Sequence, residues 1–173
     1  MELLKKQWYH SSNADLEKVK HLCDEWRMHP VVANILLSRG FTTQKDIKSF
    51  LEPSLNNLRD PFQLRHMYSA VKLLQDAIVN NQNIIIIGDY DVDGITSTAL
   101  VLDFLKACGL ENVDYFIPNR LKHGYGLTEA STDILLERNV DLVITVDNGI
   151  TAAGEIQRLN DAGKKTIVTD HHL

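Results

Sequence analysis

A chain of 173 residues with 44% hydrophobic and 24% charged content has room for one or two small domains around a sizeable core, in the ordinary globular range. No apolar run approaches the ~20 residues of a membrane span, and Met1 to Trp8 lacks the apolar centre of a secretion signal, so a cytoplasmic protein with no membrane partner is expected. The formal charge of −5 would count against a nucleic-acid binder, yet the five aspartates singled out below account for all of it, so a phosphate-bearing substrate is not excluded.

The first 80 residues predict helices. Leu16, Val19, Leu22, Cys23 and Trp26 recur at the spacing of one helical face. Pro30 to Ser38 reads as a short helix ended at Gly40, and Thr43 to Leu51 as another stopped by Pro53. Met67, Ala70, Val71, Leu74, Ala77 and Ile78 form an apolar stripe that breaks at Asn80 to Asn83. Trp8 and Trp26 are expected in the core, and His10, His21, His29 and His66 on the surface. Cys23 and Cys108 are expected as buried free thiols in a reducing compartment.

Beyond residue 80 strands alternate with helices. Strands are predicted at Ile84–Ile87, Val113–Ile117, Leu142–Val146 and Thr166–Val168. Helices are predicted at Ser97–Cys108, then along Leu127, Ala130, Ile134 and Leu135 as one buried face, and at Ala152–Ala162. This is an α/β pattern: a parallel sheet with helices on both faces, preceded by a helical N-terminal region. The boundary is set at 80/81, with residues 1–80 as a helical leader packing on a sheet domain of residues 81–173.

The unusual residues all follow strands. Asp89, Asp91 and Asp93 follow the first, Asn119 and Arg120 the second, Asp147, Asn148 and Gly149 the third, and Asp170, His171 and His172 the fourth. Open parallel sheets bind ligands at these carboxyl ends, so acids distant in sequence are expected to converge on one edge. Three carboxylates within five residues repel one another, and a hard divalent cation such as Mg²⁺ or Mn²⁺ relieves that repulsion. The aspartate cluster has three competing readings. A solvated Asp/Gly turn accounts for the residues one by one. An EF-hand matches Asp89, Asp91, Asp93 and Gly94, but Leu100 stands where the bidentate glutamate belongs. A haloacid-dehalogenase-type phosphatase matches Asp91 to Thr96, but its nucleophilic aspartate directly follows the strand, whereas Gly88 to Tyr90 intervene here.

The remaining clusters are open to similar alternatives. Two adjacent histidines behind an aspartate are harder to dismiss than one; on an extended backbone their rings should point in different directions, one to a metal and one to a substrate. Asp170 could orient one of the rings. The loop from Ile117 to Leu127 is basic and aromatic and contains Gly124 and Gly126, which suits phosphate or base contact as well as it suits a plain βα loop.

Taken together, Gly88 to Gly94, Val146 to Ile150 and the Asp170–His171–His172 triplet resemble the first three motifs of the DHH phosphoesterase superfamily. Pro118 to Arg120, Gly124 to Gly126, and the leader pieces Leu37 to Gly40, Phe50 to Pro53 and Asp60–Pro61 resemble its bacterial single-strand-specific DNA exonucleases. The resemblance spans nearly the whole chain. It implies hydrolysis of single-stranded DNA from the 5′ end in repair and recombination, in the bacterial cytoplasm, with single-strand-binding protein and a helicase as partners. It also implies two Mn²⁺ ions, or Mg²⁺, held by Asp91, Asp93, Asp147 and His171. By the same carry-over His172, Asp89 and Asp170 are catalytic, and Arg120, Tyr125, Gly126 and Asn148 bind substrate. Lys122 and His123 stand where an acidic residue is expected. A fourth metal-ligating motif and a clamp domain are expected downstream of His172, so that residues 1–173 by themselves would hydrolyse DNA poorly. Two other functions stay open: a phosphoesterase acting on oligonucleotides or cyclic dinucleotides, and a catalytically silent DNA-binding adaptor.

Overall fold

The structure, a computed structural model, describes residues 15–172, so Trp8 and His10 lie outside the described residues. The chain divides into two compact units between Asp60 and Pro61. The first holds α1 (Leu16–Trp26), α2 (Pro30–Ser38) and α3 (Gln44–Leu51), packed through Val19, Leu22, Ala33, Leu36 and Ile47. Asp15 and Thr43 cap α1 and α3 with their side chains, and Pro30 opens α2 where its missing N–H is harmless. Trp26 is partly buried against this core, and His21, His29 and His66 are exposed.

The second unit holds α4 (Met67–Val79), β1 (Ile84–Ile87), α5 (Val92–Ala107), β2 (Val113–Phe116), α6 (Glu129–Glu137), β3 (Leu142–Val146), α7 (Ala153–Asp161) and β4 (Lys165–Thr169). Its four strands are all parallel, in the order β2-β1-β3-β4. Successive residues of a strand face opposite sides, and β1 shows it. Ile84 and Ile86 join Leu73, Leu74, Ala77 and Leu105 from α4 and α5, while Ile85 and Ile87 join Leu135 and Leu159 from α6 and α7. The sheet is therefore covered on both faces, as four consecutive buried isoleucines require. Because Leu73, Leu74 and Ala77 belong to this core, α4 lies in the second unit.

Three local expectations are corrected. Helix α5 begins at Val92 rather than Ser97, because Asp91 caps it and Asp93 sits in its first turn, where acids are favoured. In α6 the buried positions are Ser131, Thr132 and Leu135, while Ala130 is exposed. The cause is the capping box: Thr128 and Ser131 bond reciprocally, and the Ser131 hydroxyl also donates to the Gly126 carbonyl. Cys108 is free as expected but exposed, since it caps the solvent-facing end of α5; Cys23 is half-buried. Among the described residues no helix is long and apolar enough to cross a membrane.

Candidate active site

Sheet register brings the motifs to one level. Ile87 pairs with Thr145, and Val146 with Thr169, so Asp89 and Asp147 leave neighbouring strands together and Asp147 lies beside Asp170. The chain runs from β1 to β2 on one side and later to β3 on the other side of β1. The crevice between the carboxyl ends of β1 and β3 is thus a topological switch point, the usual ligand position in an open parallel sheet.

Two glycines make the β1–α5 corner this tight. A Cβ on Gly94 would meet the Asp89 backbone nitrogen at 2.4 Å, and one on Gly88 would meet the Thr98 hydroxyl at 2.1 Å. The glycines that read as turn residues in the sequence serve the close approach of a helix to a strand end.

Asp89 is 0% exposed, and neither carboxylate oxygen makes a hydrogen bond. Burial pushes its pKa above the ordinary carboxylate range, and the charges of Asp91 and Asp147 push the same way. The Tyr90 and Gly126 amides oppose this shift in part. Asp91 accepts a hydrogen bond from the Gly94 amide at 3.0 Å, and Asp93 is exposed on the first turn of α5.

Asp147 adopts the left-handed conformation at φ 62°, uncommon for a non-glycine residue. Its amide is held by the Thr169 carbonyl at 2.9 Å, and its nearly buried Oδ1 lies 3.0 Å from His171 Nε2. Asn148 is 1% exposed and ties the two strand ends together by donating to the Val146 and Ile87 carbonyls at 2.9 and 3.2 Å. Its Oδ1 is buried without a partner. Gly126 packs on Asn148, where a Cβ would sit 3.1 Å from the asparagine Cβ.

Asp170 accepts from the Ile150 amide at 2.9 Å through Oδ2; its Oδ1 meets the His172 amide at 3.0 Å and ring Nδ1 at 2.7 Å. Burial alone would raise the Asp170 pKa, but these bonds outweigh it and hold the carboxyl below its ordinary value. The same bond raises the His172 imidazole above the ordinary histidine value, favouring the imidazolium. The two histidine rings do not diverge as the sequence suggested: they stack, with centroids 4.4 Å apart and planes at 29°. The reason is that β4 ends at Thr169, and Asp170 bonding the amide two residues on turns the backbone. The rings still face different acids, Asp147 and Asp170.

The loop after β2 holds itself in shape. His123 Nδ1 accepts from the Asn119 amide at 2.9 Å, Asn119 Oδ1 accepts from Leu121 and Lys122, and the Thr128 hydroxyl donates to the His123 carbonyl. It presents Tyr125 edge-on to His172, with centroids at 6.3 Å and planes at 88°. Burial and four nearby aspartates raise the Tyr125 pKa. Arg120 stands over the ring of Tyr90, a residue that sequence patterning does not single out although it lies inside the aspartate cluster. An aromatic among acids was the available signal.

Asp89, Asp91, Asp147, Asp170, His171, His172, Tyr125, Gly126 and Asn148 are therefore brought together, while Asp93 stays at the rim. Ligand atoms of Asp147, His171 and His172 lie within 4.8 Å of one another, close enough to share one ion. Asp91 and Asp93 fall outside that trio. The arrangement gathers carboxylates and imidazoles at the switch point of a doubly wound parallel sheet, where such sheets place their ligands.

Residues 83–173 match the DHH family, N-terminal domain, and the chain belongs to that family. It is 38% identical over 170 residues to the single-stranded-DNA-specific exonuclease RecJ of Bacillus subtilis and 37% identical over 144 residues to that of Escherichia coli. It covers 98% and 83% of itself in these matches, but only 22% and 24% of the relatives' length. A manganese-bound exonuclease RecJ superposes with a TM-score of 0.59 at 42% identity, covering 64% of this chain and 28% of that one. RecJ from Thermus thermophilus in complex with Mn²⁺ gives 0.59 at 33% identity, covering 92% and 22%.

Proposed function

We propose that this chain carries a metal-dependent phosphodiesterase site that hydrolyses single-stranded DNA from the 5′ end. The observation that supports it most is Asp89: a buried carboxylate without a hydrogen bond, pressed by Asp91 and Asp147, and relieved most simply by a cation. The donor set fits such an ion, since carboxylates with imidazole suit Mn²⁺ better than Mg²⁺. Both manganese-bound structures are of similar proteins.

In this reading Asp91, Asp93, Asp147 and His171 would hold two ions, whose chemistry there would be to activate a water and to neutralise charge on the phosphate. Asp89, buried behind them, serves as an auxiliary acid. Asp170 orients His172 through Nδ1 and favours the imidazolium, whose Nε2–H is then free to donate towards a phosphate or leaving oxygen. Arg120 meets the DNA backbone, Tyr125 packs against a base or sugar, and Gly126 and Asn148 shape the wall they share. Residues 81–173 are read as the first part of the phosphoesterase domain, which the family match starting at residue 83 supports; of the preceding helical leader, α4 packs into the sheet core and the helices before Pro61 form a unit of their own. Work on unpaired strands in a bacterial cytoplasm suits single-strand-binding protein and a helicase as partners.

The test is digestion of 5′-labelled single- and double-stranded DNA by the protein in its natural full length, with Mn²⁺ and with chelator. Metal-dependent loss of the single strand, reduced at least about a hundredfold by Asp147→Asn, is expected. Equal digestion of duplex, or activity in chelator, would reject the reading.

A further inference from the structure

Tyr90 lies between two aspartates of the acid cluster, yet its side chain faces a cation. The Arg120 guanidinium stands 5.6 Å from the centroid of its ring. The ring meets Tyr125 edge-to-face at 6.2 Å and 83°, and Tyr125 meets His172 in the same way. An unbroken line of contacts thus runs from Arg120 to the histidine bonded to Asp170. The crevice acids Asp147 and Asp170 pair with His171 and His172 and not with Arg120. A long exposed arginine would ordinarily sample many rotamers or swing onto the nearest acid.

We propose that Tyr90 is a positioning residue: its ring face holds the Arg120 guanidinium away from the aspartates and aimed at the substrate phosphate. The inference rests on the functional reading above. A planar guanidinium can lie on an aromatic face and keep its N–H groups free for phosphate oxygens, which an ammonium does less well. Stacking also removes rotamer freedom before the substrate arrives, so less is lost on binding. Tyr90 contributes to affinity only through Arg120, and removing it matters only while Arg120 is present.

The experiment measures binding of a single-stranded oligonucleotide across a salt series, and steady-state hydrolysis in Mn²⁺, with the natural full-length protein. Tyr90→Leu should weaken binding roughly two- to fivefold, the range of an exposed cation–π contact, and raise KM while kcat holds. Tyr90→Phe keeps the ring and should restore wild-type binding. Arg120→Ala should lose about one phosphate contact and flatten the salt slope by about 0.7. The double variant Tyr90→Leu/Arg120→Ala should be no weaker than Arg120→Ala alone.

Additive losses in the double variant, or a fall in kcat with unchanged KM, would overturn the inference and make Tyr90 a support of the acid cluster. So would wild-type binding by Tyr90→Leu. If the leucine variant does not fold, the wild-type Arg120 Hε resonance decides: a ring-current upfield shift supports the contact, and a random-coil position rejects it. Failure of the wild-type protein to bind single strands would reject the functional reading and this inference with it.

Discussion

Gly94 sets two general rules against each other. In most helices replacing glycine by alanine stabilises by about 0.5–1 kcal/mol, because glycine loses more backbone entropy on folding. At Gly94 the added Cβ would meet the nitrogen, oxygen and carbonyl carbon of Asp89 at 2.4, 2.5 and 2.7 Å. These backbone atoms follow a strand paired on both sides, and the Gly88 amide is itself bonded to the Phe116 carbonyl at 3.3 Å, so they cannot easily withdraw. Relief must come from moving α5, whose Leu105 is fully buried in the core. Such overpacking costs about 1–3 kcal/mol. It outweighs the propensity gain, leaving a net loss of roughly 1–2 kcal/mol and a fall in Tm of about 2–8 °C. Gly154, near the start of α7, is the matched control: nothing lies within 4 Å of its Cβ, so Gly154→Ala should be neutral or stabilising by up to about 1 kcal/mol. Urea unfolding of both variants by circular dichroism, metal-free and then with Mn²⁺, tests this. The displaced helix carries Asp91 and Asp93, so the Mn²⁺-dependent rise in Tm should also shrink in Gly94→Ala. A Gly94→Ala protein as stable as wild type would refute the backbone-to-backbone contact of β1 with α5.

Three further outcomes are expected. Burial raises the Asp89 pKa, so this group contributes stability below its unfolded pKa and loses it as pH rises through the folded value; Asp89→Asn should raise the metal-free Tm near neutral pH, and a lower Tm in chelator would contradict the burial. The bond to Asp170 raises His172, whose stabilising contribution is full below the ordinary imidazole pKa and lost as pH rises through the raised one; that of Asp170, whose pKa is lowered, is lost as pH falls through its folded value. An NMR titration of the metal-free protein should place His172 above an ordinary histidine, and Asp170→Asn should bring it down; an unmoved midpoint would exclude the pair. Calorimetric titration with Mn²⁺ should show at least tenfold weaker binding by Asp147→Asn, and equal affinity would remove Asp147 from the ligand set.

The sheet was legible because its strands are short, continuous apolar runs, and such runs have few alternatives once helices separate them. The convergence of Asp89, Asp147 and Asp170 was legible for a related reason: in a parallel sheet every carboxyl end lies at the same edge. The start of α5 was not. Val92, Asp93 and Gly94 have poor helix propensity, and what makes them helical is the Asp91 cap together with the contact of Gly94 on Asp89, which no local pattern records. The buried face of α6 was missed because Ser131 and Thr132 read as polar until the capping box is seen. The stacking of His171 on His172 depends on an Asx bend, and the place of Tyr90 beneath Arg120 depends on a loop arriving from another strand end.

Asp89 also shows how the core and the site depend on each other. A carboxylate with no hydrogen bond would, in a looser structure, turn to water or draw the strand end outward. Here the preceding residues are Ile84 to Ile87, each at most 2% exposed, and every buried isoleucine contributes about 1.5–3 kcal/mol. That sum exceeds the desolvation of one acid, which escapes part of the penalty by binding a proton more readily. The strand can therefore hold Asp89 in a position it would not otherwise occupy. The same reasoning explains why the penalty stays local. Asp91 accepts from the Gly94 amide, Asp170 is bonded to two amides and an imidazole, and Asp147 lies against His171, whereas at Asp89 burial outweighs what the Tyr90 and Gly126 amides offer. A cation bound beside it would offset its charge, and metal affinity and fold stability should move together when Asp89 is changed and separately when Arg120 is.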